Sequence, residues 1–231
     1  MTVKTALVTG AGPGLGASLV RRFRKAGLHV AAFARNADRL KETFADDSGV
    51  TCIPGDVTDG ASVAAAVEQI EKIGPLDVAI ANSAAWKISN LLDLEPTEFE
   101  TVWRAGCLSA FNVARAAGKA MSARGHGTLL FTGSAAQMRA ASGFGAMAVA
   151  KGGLRVLSQA LARELGPKGI HVGHVVIDGP IDSARTRAAN TNHDRLIDPD
   201  GIAEVFHALY VQPRNAWTNE IDVRTFCEWP A

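Results

Sequence analysis

The residues best placed to do chemistry stand near the start of the chain. Thr9-Gly10-Ala11-Gly12-Pro13-Gly14-Leu15-Gly16 alternates glycine with other residues, between an apolar strand-like run and a helix-like pattern. Glycines there let the backbone turn tightly and approach a pyrophosphate. The N-terminus of the following helix turns free N–H groups and partial positive charge toward the anion. Glycine clusters also mark ordinary tight turns, so the position after a strand and before a helix carries the reading. The cysteines add no second centre. Cys52, Cys107 and Cys227 are widely spaced, odd in number and without metal-ligand spacing. They read as reduced thiols of a cytoplasmic protein, with no metal expected.

The elements that must position this loop alternate along the chain. Ala6-Leu7-Val8 reads as a first strand, followed by a helix through Leu19, Val20 and Phe23. Val30-Ala31-Ala32-Phe33, Thr51-Cys52-Ile53 and Val78-Ala79-Ile80 read as the next three strands. Thr58 or Asp59 can cap a helix striped by Val63, Ala66, Val67, Ile70 and Ile73 and stopped at Gly74-Pro75. A long helix is predicted over about 99–121, with Phe99, Val102, Trp103, Phe111, Ala114 and Met121 at helical spacing. Thr128-Leu129-Leu130-Phe131 reads as a fifth strand. Leu154, Leu157, Leu161 and Leu165 stripe a helix over about 148–165, ended by Gly166-Pro167. His171 to Ile177 reads as a sixth strand and Ile221-Asp222-Val223 as a short seventh. Tyr210, the sole tyrosine, reads as a helical core residue whose hydroxyl reaches the surface. Residues 179–199 read as one long irregular segment, of a length usually functional or mobile. Such alternation predicts an α/β fold: one domain over residues 1–231, with a doubly wound parallel sheet of about seven strands and helices on both faces.

Charge excludes some classes of function. The 24 basic and 23 acidic residues nearly cancel, so neither nucleic acid nor a solvated acidic arm is expected. No apolar run is long enough for a bilayer, so no membrane partner is expected. The first residues lead straight into a strand without a signal peptide.

The spacing Thr-Gly-x-x-x-Gly-x-Gly resembles the short-chain dehydrogenase/reductase family, and the likeness runs from Val3 to about Ser183. Gly55-Asp56-Val57-Thr58 resembles the family's adenine-contacting segment. Asp77 to Ala84 resembles its Asp-x-Leu-Val-Asn-Asn-Ala-Gly segment, with Asn82 kept and Ser83 and Ala84 beside it. Leu161 to Leu165 and Gly169 to Val172 are similar too. The resemblance implies a Rossmann-type fold and a nicotinamide cofactor held by Gly10, Gly12, Pro13, Gly14, Leu15, Gly16, Asp56, Val57, Asn82, Ser83, Ala84, Lys151, Gly179, Ile181 and Ser183. Relatives that prefer NAD place Asp or Glu at the end of the second strand. Here Ala34 stands there and Arg35 follows. An arginine fork grips a 2′-phosphate that a carboxylate repels, so NADP(H) is the expected cofactor. A solvated surface arginine is the alternative. Pro13 departs from the second basic residue that many NADP-binding relatives carry.

The family works with Asn, Ser, Tyr and Lys. On this resemblance Ser134 matches the serine, the alternative being a turn or N-cap residue, and Lys151 the lysine, the alternative being a solvated helix lysine. The Tyr-x-x-x-Lys frame reads Met147-Ala148-Val149-Ala150-Lys151, and the asparagine aligns with Gly106. Methionine has no titratable proton. Asp178, Asp182, His193 and Lys151 are the substitute donors the chain offers, the alternative being that each is a loop or structural residue, since no spacing ties them to the site. The resemblance therefore implies an NADP(H)-binding oxidoreductase of an unidentified carbonyl or alcohol with a non-standard acid/base. The alternative is a catalytically inactive NADP(H)-binding sensor or partner subunit. Small residues on the two long helices, which pair across a two-fold axis in the family, imply a homodimer or homotetramer, the alternative being that they merely fit the helices against the sheet.

Overall fold

A computed structural model describes residues 3–189 and 192–227. Seven parallel strands form one sheet in the order β3-β2-β1-β4-β5-β6-β7. They are β1 (Thr5–Thr9), β2 (His29–Ala34), β3 (Val50–Pro54), β4 (Leu76–Ala81), β5 (Gly127–Thr132), β6 (Ile170–Ile177) and β7 (Glu220–Val223). All five residues of β1 and all eight of β6 are buried, as a sheet covered on both faces requires. Successive side chains go to opposite faces: Ala6 and Val8 join one core, Leu7 the other.

Helices α1 (Leu15–Lys25), α2 (Ala37–Phe44) and α8 (Pro199–Tyr210) cover the first face, packing Leu19, Phe23, Leu40 and Phe206. On the second, α3 (Gly60–Glu71), α5 (Ser109–Arg124) and α6 (Gly145–Leu165) pack Val63, Ile70, Val113, Met121 and Leu154. The chain leaves β1 toward β2 and β3, then returns to the other side of β1 as β4. That reversal opens a crevice beyond the carboxyl ends of β1 and β4, where open α/β sheets bind ligands.

Four expectations need correction. A helix absent from the sequence reading, α2, begins at Ala37; Asn36 caps it by accepting from Arg39 N. The long helix over 99–121 is two, α4 (Pro96–Trp103) and α5, joined by a π-helical turn at Arg104–Leu108. Trp103, just before the turn, and Phe111, just after it, are exposed rather than part of the buried stripe. Residues 179–199 are not wholly irregular. They contain α7 (Ala184–Ala189), a short 3₁₀ turn at His193–Arg195, and a parallel bridge from Ile181 to Ile197; residues 190 and 191 lie outside the described residues. The Tyr210 hydroxyl does not simply reach the surface. It donates to Asp77 Oδ2 at 2.6 Å, a carboxylate also held by Lys4 and His126.

Candidate functional site

The glycine loop is shaped for an anion. Gly10 and Gly14 adopt positive φ, +67° and +88°. A Cβ at Gly10 would lie 2.5 Å from the Asn82 carbonyl oxygen, so β1 and β4 approach as closely there as glycine allows. At Gly12 a Cβ would meet no atom within 4 Å, which leaves room above the loop. Helix α1 starts at Leu15 and Gly16 with no side-chain cap and no acid in its first turn. Its first N–H groups and the positive end of its dipole are therefore available to phosphate.

At the end of β2, Arg35 is exposed and makes no hydrogen bond or ion pair among the described residues. Asp56 sits nearby, its carboxylate accepting from Thr58 N and Oγ1. These bonds, with a smaller contribution from Arg35, hold its carboxyl below the usual range. Val57 is fixed through its carbonyl by Asn112 Nδ2.

A hydrogen-bonded line crosses the sheet from this loop to Lys151. Asn82 Nδ2 donates to Gly10 O at 3.2 Å, Thr132 Oγ1 donates to Asn82 Oδ1 at 2.9 Å, and Lys151 Nζ donates to Thr132 O at 2.6 Å. Lys151 is 4% exposed, and burial lowers its pKa to about 8. Ser134 follows β5, and its Oγ accepts from Ala136 N at 3.3 Å, capping a short 3₁₀ turn at Ala135–Gln137. Its hydroxyl proton is not committed among the described residues. The side chain thus caps the turn and keeps an O–H for a further partner.

Met147 lies one turn before Lys151 on α6 and is 6% exposed. It packs with Val102, Ala146 and Ala150, and Ala85, Leu94, Phe99 and Ala136 close over that cluster. Gly106 lies in the π turn, where a Cβ would be 2.9 Å from Ala150 Cβ. An asparagine side chain would force α6 outward. The neighbouring Cys107 thiol is pushed up by burial.

In the loop after β6, Asp178 and Asp182 are held as structural residues rather than free donors. Asp178 Oδ2 accepts from Arg139 at 2.7 Å and lies 3.7 Å from Arg224. Asp182 pairs with Arg187, whose guanidinium holds its carboxyl low. Gly179 takes φ +145°, Ile181 forms the bridge to Ile197, and Ser183 Oγ accepts from Thr186 N at the start of α7. His193 stands in the exposed 3₁₀ turn.

Two contributors lay outside the sequence reading. His174 on β6 is 0% exposed and shares a 2.8 Å hydrogen bond with Gln137 Oε1, against Gly133. Arg139, which anchors Asp178, is the other. Histidine inside a largely apolar strand, which also carries His171, was the available signal for the first; nothing in the sequence marked the second.

A family model for short chain dehydrogenase matches residues 4–194. A crystal structure of a short-chain dehydrogenase from Rhodopseudomonas palustris is 32% identical, with TM-score 0.85 over 98% of this chain and 100% of that one. An uncharacterised oxidoreductase of Staphylococcus aureus is 28% identical over 97% of this chain and 98% of its own length. An alcohol dehydrogenase from Thermococcus sibiricus, complexed with 5-hydroxy-NADP, shares the fold: TM-score 0.88, 23% identity, 99% of both chains.

Proposed function

From the premise that this chain belongs to the short-chain dehydrogenase family, we propose that it is an NADP(H)-dependent oxidoreductase of a carbonyl or alcohol, working without a phenolic acid. The family uses nicotinamide cofactors; the choice of NADP(H) rests on this chain's own residues. The observation that carries the reading is the line from Gly10 through Asn82 and Thr132 to Lys151, which ties the anion loop and a buried cation to one crevice. The α1 N-terminus and the glycine loop would hold the pyrophosphate. Arg35, uncommitted and following Ala34, would grip the 2′-phosphate. Bound there, NADPH would supply a hydride. Lys151 would hold the ribose and place positive charge beside the reacting oxygen, and the Ser134 hydroxyl would polarise that oxygen.

Titration of NADPH and NADH by fluorescence tests the cofactor. Losing one charge-assisted contact of roughly 1.5–3 kcal/mol weakens binding about 10- to 100-fold, so Arg35→Asp should lose NADPH affinity by that factor and favour NADH. Equal affinities of the unmodified protein for the two cofactors overturn the assignment.

A second reading has its own support. Met147 and Gly106 are tightly packed where the family keeps its phenol and amide, which suits a catalytically inactive NADP(H)-binding sensor or partner subunit. Cofactor binding without turnover on any carbonyl would favour it.

A further inference from the structure

Hydride added to a simple ketone makes an alkoxide that needs a proton as it forms, and a positioned acid is worth typically ~10²–10⁴-fold. Three acids of the chain are engaged elsewhere, and His193 stands in the exposed turn after α7. Asp178 is held by Arg139 and Arg224, Asp182 by Arg187, and Tyr210 by Asp77 at the opposite end of β4. Met147 has no proton to give. Left at the crevice are a buried ammonium, Lys151, and a hydroxyl, Ser134: groups suited to holding a negative charge.

An aromatic and aliphatic wall runs from Met147 to the surface. Ala85 closes on the Met147 cluster, and the next residue, Trp86, meets Phe144 edge-on with ring centroids 6.0 Å apart. The strip carrying Trp86 is fastened to the segment before α6 by Ser89 N donating to Gly143 O at 3.0 Å. Leu91 lies against Gly145. Trp86, Ile88 and Leu91 are nonetheless exposed, although they border a buried cluster. Fixed apolar surface beside a polar reaction centre is what a small-molecule site presents.

Resting on the reading above, we propose that the substrate is a planar, apolar quinone. Its reduction asks for what this crevice has. The quinone accepts a hydride from NADPH: a C–H bond of the dihydronicotinamide breaks, an O–H bond forms at one quinone oxygen, and the other oxygen keeps the electron pair as a phenolate. The product is the hydroquinone monoanion beside oxidised NADP⁺, and water supplies the second proton after release. A phenolate is stable enough to wait, since phenols ionise near pH ~10, whereas an alkoxide is not. Lys151 and Ser134 stabilise the anion as it forms, and Trp86 lies along the flat ring while Phe144, nearly perpendicular to it, bounds the ring's edge.

The experiment uses the intact protein with 2-methyl-1,4-naphthoquinone and, as the matched ketone, 1-tetralone. NADPH binding is first established by fluorescence; failure there overturns the parent reading and this one together. With NADPH bound, the quinone should be reduced at least ~10²-fold faster than the ketone. Comparable rates, or reduction of the ketone alone, overturn the quinone assignment and leave the oxidoreductase reading standing. Reduction of neither overturns it in favour of the non-catalytic reading. Lys151→Met should lower quinone reduction by ~10²-fold, while Lys151→Arg, which keeps the charge but has no readily transferred proton, should retain most of it. Loss in both despite retained NADPH binding means that Lys151 donates a proton, and overturns the argument. A readout independent of turnover is quenching of tryptophan fluorescence by the quinone in the presence of NADP⁺. Trp86→Phe should remove most of the quench, and an unchanged quench overturns the placement of the ring.

Discussion

At position 147 a thioether fills space that the surrounding residues have closed around. Val102, Ala150, Leu94, Phe99 and Ala136 leave it 6% exposed. Met147→Tyr would place a phenol one turn from Lys151, and ketone reduction should rise by ~10²-fold or more. The same substitution overfills the cluster and should cost about 1–3 kcal/mol of stability. Steady-state rates and thermal melts of the two proteins check both effects; an unchanged ketone rate would show that a proton donor is already in place. Lys151 carries a pH signature. Burial lowers its pKa from 10.5 to about 8, so the folded chain sheds this proton before the unfolded chain does. Between about pH 8 and 10.5 the unfolded state binds more protons, and this group makes stability rise with pH across that window. Lys151→Met should flatten that rise in melting temperature. A charge lost above about pH 8 should also slow reduction there.

Among the elements, the turn after β5 owes its position to β6. His174 reaches through to Gln137, and a side chain at Gly133 would collide with the imidazole, so β5, the 3₁₀ turn and β6 are fitted around one buried ring. Burial drops the His174 pKa to about 4, which keeps the ring neutral. From pH 6.5 down to about 4 the unfolded state takes up a proton that the folded state refuses, so stability falls as pH falls through that window. His174→Phe should flatten this acid limb and, by leaving Gln137 unpartnered, lower stability by ~1–3 kcal/mol at neutral pH. Melting temperature against pH gives both; an unaltered acid limb would assign it to other groups. The π turn is the second device at this scale. It presses Gly106 against Ala150 and so fixes how closely the α4–α5 run meets α6.

For the whole molecule, we propose a homodimer or homotetramer assembled through α5 and α6. Phe111 on α5 and Val149 and Val156 on α6 are exposed apolar residues on helices otherwise rich in alanine and glycine, which permit close approach of a two-fold mate. Light scattering at micromolar concentration should give at least twice the 24.2 kDa chain mass. Val156→Glu should shift the protein toward monomer without altering NADPH binding. A monomeric mass for the unmodified chain rejects the proposal. No helix among the described residues is long and apolar enough to cross a membrane.

What the sequence determined by itself was the part written in local pattern. Apolar runs of strand length alternating with helical stripes specified seven strands and a sheet covered on both faces, because burial on two sides leaves no polar alternation to confuse the period. Glycines at fixed spacing specified the anion loop, because positive φ and close backbone approach exclude most other residues. The pairing of Ala34 with Arg35, and of Met147 with Lys151, was legible for the same reason: each is a question of which atoms one position carries. Tertiary structure decided the rest. Helix α2 is a short amphipathic piece, with Leu40 and Phe44 as its buried residues, too few to stand out from a loop. The π turn depends on how α4 and α5 pack against α6, which no window of sequence contains. Whether Asp178 and Asp182 were donors or loop residues stayed open in the sequence, and the fold decided it by bringing Arg139, Arg224 and Arg187 to them. Tyr210 and Asp77, and His174 and Gln137, are 133 and 37 residues apart in the chain, and contacts at such separations are made by the fold.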